Sequence, residues 1–130
     1  MIAYTMVGTR DLDRARRFYD AVFAALDRTR CYSDDQVTAW GDPADDSVPR
    51  FFAGYPFDGG AAGVGDGTMT AFRVDDAPRI DRLHAIALAM GGSSEGAPGP
   101  RPQYSDGFYA AYVRDPDGNK LAFVCYDCAA

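Results

Sequence analysis

Histidine, glutamate and lysine are almost missing from this chain: His84, Glu95 and Lys120 are the only ones among 130 residues. One imidazole and one glutamate cannot furnish the three or more nitrogen and carboxylate donors of a typical His/Glu metal centre. Long apolar runs are missing too. No stretch approaches the roughly 18 consecutive apolar residues that cross a bilayer. The opening Met1 to Val7 lacks a basic segment and is too short for a secretory signal, so the expectation is a cytoplasmic protein. Positive charge is scarce: 13 Lys and Arg stand against 19 Asp and Glu, for a net charge of −6. That balance argues against nucleic acid or an anionic membrane as partner, since both reward a basic face. Cysteine is limited to Cys31, Cys125 and Cys128, an odd set that fits reduced thiols better than a disulfide framework.

What is present suits a globular protein, with 47% hydrophobic and 13% aromatic residues. A chain of this length makes one domain. The most structured stretch runs from Gly107 to Tyr126, two apolar and aromatic runs around Asp115-Pro116-Asp117-Gly118-Asn119. Pro116 presets φ for a type I turn and Gly118 tolerates positive φ, which predicts a hairpin with a three-residue loop. In that register Asp115 pairs with Asn119, Tyr112 with Ala122 and Ala110 with Val124. Alternation then puts Phe108, Ala110, Tyr112, Lys120, Ala122 and Val124 on one face.

Taken in order, Ile2 to Gly8 reads as a strand. Asp11 offers an N-cap, and Leu12, Ala15, Phe18, Val22 and Leu26 recur at helical spacing. Arg14, Arg16, Arg17 and Asp20 fall on the other faces of that helix and read as solvated. Two short strands broken near Ser33-Asp34-Asp35 follow, then an acidic loop from Gly41 to Pro49 and a strand from Arg50 to Tyr55. The glycine-rich stretch from Pro56 to Gly67 reads as a linker; it lacks Gly-Lys-Ser/Thr and precedes a strand, which excludes a phosphate-binding loop. Met69 to Val74 reads as a strand. A second helix opens at Asp75-Asp76 with Pro78, buries Ile80, Leu83, Ala87 and Met90, and closes at Gly91-Gly92. A loop rich in Gly and Pro is expected from there to Gln103.

The second half repeats the first. A shift of 65 positions lays Tyr4 on Met69, Asp11 on Asp76, Arg14 on Arg79 and Phe18 on Leu83. A shift of 70 lays Phe52 on Ala122. A β-α-β-β-β unit used twice is the economical reading.

A paired unit of this kind, opening with the helix Asp-Leu-Asp-Arg-Ala-Arg-Arg-Phe-Tyr (residues 11–19) and ending in Asp-Pro-Asp-Gly-Asn, resembles the vicinal oxygen chelate superfamily. That group includes glyoxalase I, extradiol dioxygenases, fosfomycin-resistance enzymes and bleomycin-resistance proteins. The block Gly96 to Pro102, followed by Phe108 to Tyr112 and the turn, is similar to a glyoxalase-like bacterial subgroup. The resemblance implies an α+β fold: two tandem βαβββ modules (1–55 and 68–130, joined by 56–67) forming a curved, cup-shaped mixed sheet with helices on the convex side. It also implies a homodimer.

Metal-using members take ligands from the first and last strands of each module. Carried over residue by residue, those positions fall at Tyr4, near Phe52, at Met69 and at Ala122, none of which is an imidazole or a carboxylate. Gln103 and Ser105 stand where the subgroup often has histidine. The expectation is therefore no metal and no cofactor. An aspartate-only site would have to use Asp106, Asp115 and Asp117, of which the last two read as turn formers.

Other chemistry is thinly supported. Cys125-Tyr126-Asp127-Cys128 has C-x-x-C spacing but follows a strand, without the helix N-terminus that activates redox thiols; Cys125 is expected to pack and Cys128 to fray. His84 reads as a partly exposed helix residue and Glu95 as a solvated loop residue. What remains is the inner face. Tyr4, Met6, Phe52, Met69, Ala71, Arg73, Phe108, Tyr112, Ala122 and Val124 would line an apolar, aromatic pocket, with Arg50, Arg73 and Lys120 at its rim. Such a surface suits metal-independent binding of a small hydrophobic or aromatic molecule. A lactoylglutathione lyase-like enzyme using non-standard residues is the alternative. A cup filled by its own side chains is the competing structural outcome.

Overall fold

Asp11 lies in extended backbone, and its carboxylate accepts a 3.1 Å hydrogen bond from the Arg14 amide, which starts helix α1 (Leu12–Ala25). Asp76 does the same for α2 (Ala77–Ala89), accepting from the Arg79 amide at 2.8 Å with Pro78 in the first turn. Caps of this type stabilise a helix end by about 1 kcal/mol each. The computed structural model in which these elements are seen describes residues 1–128.

Eight strands accompany the helices: β1 (Tyr4–Gly8), β2 (Thr29–Ser33), β3 (Val37–Gly41), β4 (Arg50–Gly54), β5 (Thr70–Arg73), β6 (Ser93–Pro100), β7 (Tyr109–Arg114) and β8 (Lys120–Cys125). They form two four-stranded mixed sheets with orders β1-β4-β3-β2 and β5-β8-β7-β6. This is the expected tandem βαβββ architecture, and the two sheets lie open. The repeat extends to register: Met6 pairs with Phe52 in one sheet, and Ala71 pairs with Ala122 in the other. Those are the partners the shifts of 65 and 70 require. The hairpin register also holds, with Tyr112 opposite Ala122 and Ala110 opposite Val124.

Both helices pack on one side of the two sheets. Phe18, Tyr19 and Val22 of α1 and Ile80 and Leu83 of α2 share a single core with Trp40, Phe51, Val113, Leu121 and Phe123. Phe72 bridges the halves, with ring centroids 5.4 Å from Phe23, 5.3 Å from Phe51 and 6.1 Å from Phe123. Each such ring stabilises the fold by about 1.5–3 kcal/mol when fully buried.

Several expectations need correction. The segment expected as a loop after α2 is strand β6, an outer edge strand. Pro98 and Pro100 are tolerated there because an edge strand can spare the missing donors, and its register is broken between Ser94 and Gly99. Met90 is not buried but forms the C-cap of α2, 37% exposed, before Gly91 turns the chain at φ +100°. Ile2 lies outside β1, whose pairing begins at Tyr4 opposite Arg50.

Arg14, Arg16 and Asp20 are not simply solvated. Arg14 bonds to Asp117 at 2.8 Å, Arg16 to Thr38 at 2.8 Å, and Asp20 accepts from Arg30 and from the Trp40 indole. Glu95 is paired with Arg114 at 2.6 Å. The expectation of three reduced thiols also fails: Cys125 and Cys128 form a disulfide, leaving Cys31 free. Cys128 does not fray. The chain turns after β8, and the Cys128 amide donates to the Gly107 carbonyl at 2.8 Å, with the two cysteine Cα atoms 5.7 Å apart. That separation lies within disulfide range.

Candidate functional site

The face turned away from the helices is built by strand alternation. On the second sheet Ala110, Ala122 and Val124 form a small buried cluster, flanked by Phe108 and Tyr112. Aromatic rings extend it: Phe108 lies 5.8 Å from Tyr104 and 5.5 Å from Tyr126. Cations sit over the rings, Arg73 at 5.0 Å from the centroid of Tyr126, with Arg101 and Lys120 at 5.6 and 5.7 Å from that of Tyr112. Contacts of this kind are worth about 0.5–1 kcal/mol each where exposed.

On the first sheet the same face carries Tyr4 and Phe52, whose rings are 5.1 Å apart. Tyr4, Met6 and Met69 remain 63%, 47% and 49% exposed. The ten expected residues thus fall into three groups. Tyr4, Met6 and Phe52 form a patch on the first sheet; Phe108, Tyr112, Ala122 and Val124 form one on the second. Ala71 and Arg73 of β5, with Met69 just before the strand, lie on the border between the sheets.

That border is a seam with two hollows. The larger has a volume of about 600 Å³ and is lined by Thr5, Phe23, Phe51, Met69, Phe72 and Arg73, among others. The smaller, of about 280 Å³, lies farther along β1 and β5, between Met6, Met69 and Lys120. Phe23 and Phe51 belong to the core on the helix side of the sheets. They reach the larger hollow because β1 and β5 are not paired with each other, which leaves core rings accessible between them.

The chemistry of the face is narrow. Burial pushes the Tyr112 phenol above its ordinary value, with Tyr104 adding to the shift and Arg101 opposing it. Tyr112 therefore stays protonated at neutral pH, able to donate a hydrogen bond to a ligand but not to act as a base. His84 lies on α2, its Nε2 2.9 Å from the Ser94 hydroxyl, with its pKa lowered by desolvation. Asp115 and Asp117 are engaged by the turn and by α1.

A divalent transition metal does not fit the positions carried over from metal-using members. Ala122 is fully buried and has no donor, and Phe52 offers only a ring to Tyr4. Met69 is a soft thioether. Among the described residues no three His, Cys, Asp or Glu side chains gather in a group that could hold a metal. No described helix is long and apolar enough to cross a membrane.

The family model described as the glyoxalase/bleomycin resistance protein/dioxygenase superfamily matches residues 1–123. A solved glyoxalase/bleomycin resistance protein from Albidiferax ferrireducens T118 is 32% identical with a TM-score of 0.84, covering 96% of this chain and 98% of its own. A glyoxalase/bleomycin resistance protein/dioxygenase family enzyme from Burkholderia phytofirmans PsJN is 19% identical with a TM-score of 0.71, over 95% and 97% of the two chains. A lactoylglutathione lyase from Agrobacterium tumefaciens is 21% identical with a TM-score of 0.67, over 96% and 92%. At these lower identities the likeness concerns the fold. No curated protein matches the sequence.

Proposed function

The chain belongs to the glyoxalase/bleomycin resistance protein/dioxygenase superfamily, and from that premise we propose that it binds a small hydrophobic or aromatic molecule without a metal. The observation that carries this reading is the exposed apolar surface: Tyr4, Met6 and Met69 are exposed, Tyr4 packs on Phe52 of the first sheet, and Phe108 packs on Tyr126 at the second. Apolar side chains gathered on one face, where a monomer would ordinarily bury or scatter them, mark a binding surface. The donor set supports the metal-free part, since the family positions hold a phenol, a thioether, a phenyl ring and a methyl group. Residues 1–55 and 68–130 act as the two halves of the binding domain, joined by 56–67. The protein works as a cytoplasmic homodimer, the second copy supplying further cover for apolar surface.

Two measurements test the reading. Elemental analysis of protein purified without chelator is expected to find no stoichiometric transition metal. Planar aromatic compounds are expected to raise the melting temperature in wild type and to lose that effect in Met69→Asp. Stoichiometric metal that disappears on changing Tyr4 or Met69 would overturn the proposal, as would stabilisation that Met69→Asp leaves intact.

A further inference from the structure

The larger seam hollow has a charge pattern opposite to that of the protein. Of its lining side chains, Arg28, Arg50 and Arg73 are ionised and none is acidic, in a chain whose acids outnumber its bases 19 to 13. The three come from separate places: the turn after α1, the first residue of β4 and the last residue of β5. Arg10, Arg14, Arg16, Arg30, Arg79 and Arg114 are each paired with a carboxylate elsewhere. Among the described residues Arg28, Arg50 and Arg73 have no such partner, as is also true of Arg17, Arg82, Arg101 and Lys120. Arg28 reaches only the Asp27 carbonyl, at 3.5 Å, and Arg73 lies over Tyr126. The Arg50 Nε is buried without any hydrogen-bond acceptor.

We propose that this hollow takes an organic anion, with an acid group held by Arg50 and its neighbouring arginines and an apolar body laid against Phe23, Phe51, Phe72 and Met69. The inference rests on the small-molecule reading above and adds the ligand's charge and its position. Guanidinium groups without a carboxylate partner favour an anion placed among them. A guanidinium holds a carboxylate through two parallel bonds, whereas a neutral hydroxyl accepts only one or two weaker ones. The hollow falls within the usual range for small-ligand sites, about 300–1,000 Å³, and its aromatic walls favour a flat body.

The experiment compares 2-naphthoate with the neutral 2-naphthalenemethanol by calorimetry on the full chain at low ionic strength. Naphthoate is expected to bind with one-to-one stoichiometry, at least about tenfold more tightly than the alcohol, and to weaken with added salt. Arg50→Met keeps the apolar stem and removes the charge; it is expected to weaken naphthoate binding by about tenfold and to leave the alcohol unchanged. Arg28→Gln should act in the same direction if Arg50→Met proves unstable, while Arg17→Gln, on the exposed side of α1, should have no effect. Equal affinity for the two probes overturns the anion inference while leaving the small-molecule reading intact. Binding of naphthoate that neither Arg50→Met nor Arg28→Gln weakens places the anion elsewhere and overturns it too. Binding of neither probe counts against both.

Discussion

The hydroxyl of Tyr19, on the first helix, donates a 2.5 Å hydrogen bond to Asp115 Oδ2 in the final hairpin turn, 96 positions along the chain. Tyr19 is wholly buried and Asp115 is 4% exposed. Around this bond the turn of one module is fastened to the helix of the other. Asp117 accepts from the Thr9 hydroxyl, the Arg10 amide and Arg14, and the Asn119 side-chain Nδ2 donates to the Gly8 carbonyl at 2.9 Å. Burial, reinforced by the Asp115 charge and hydrogen bond, raises the Tyr19 pKa well above its usual value. The phenol is a permanent donor.

Removing that donor leaves the Asp115 carboxylate buried with one bond fewer. Tyr19→Phe is expected to destabilise the protein by about 1.5–3 kcal/mol, the range for a bond to a charged group. Urea unfolding measures it. A loss within error of zero would mean that the bond does not hold the modules together.

Asp20 predicts a pH effect. Burial works to raise its pKa but is outweighed by the bonds from Arg30 and Trp40, so the carboxyl titrates below its usual value. A depressed folded pKa contributes stability above the unfolded value, near 3.9, and loses it as pH falls through the folded one. Asp20→Asn should therefore be less stable than wild type at pH 7, with the gap closing below about pH 4. A gap that stays constant down to pH 2 would contradict this. Asp20 is partly exposed, so the effect is modest.

Thiol titration in denaturant tests the C-terminal pair. Air-purified protein should show one reactive thiol, Cys31, and two more after reduction. Three thiols before reduction would show that Cys125 and Cys128 are not joined.

Sedimentation tests assembly. The expected species is twice the 14.0 kDa of the chain, and a monomer at micromolar concentration would refute the dimer. If dimerisation covers the apolar face, Met6→Asp should shift the population towards monomer. No shift would place the interface on another surface.

The duplication, both helix caps and the hairpin register were readable because they are local. Asp11 and Asp76 cap the turn that follows them, and Pro116 with Gly118 sets a loop whose partners lie a few residues away. That Tyr4, Phe52, Met69 and Ala122 carry no imidazole or carboxylate is legible in the sequence itself, which has one histidine and one glutamate. The misses have a different origin. β6 reads as a loop because its Gly and Pro weaken any strand signal, and only pairing with β7 supplies the order. Arg14 and Asp117 look like independent surface charges until the turn meets the helix that caps it. The seam hollow depends on how two similar modules meet, with β1 and β5 left unpaired and Arg28, Arg50 and Arg73 arriving from three segments. Periodicity reports the face of its own element that a residue occupies; which faces meet, and what charge lies between them, is decided by packing between segments far apart in the chain.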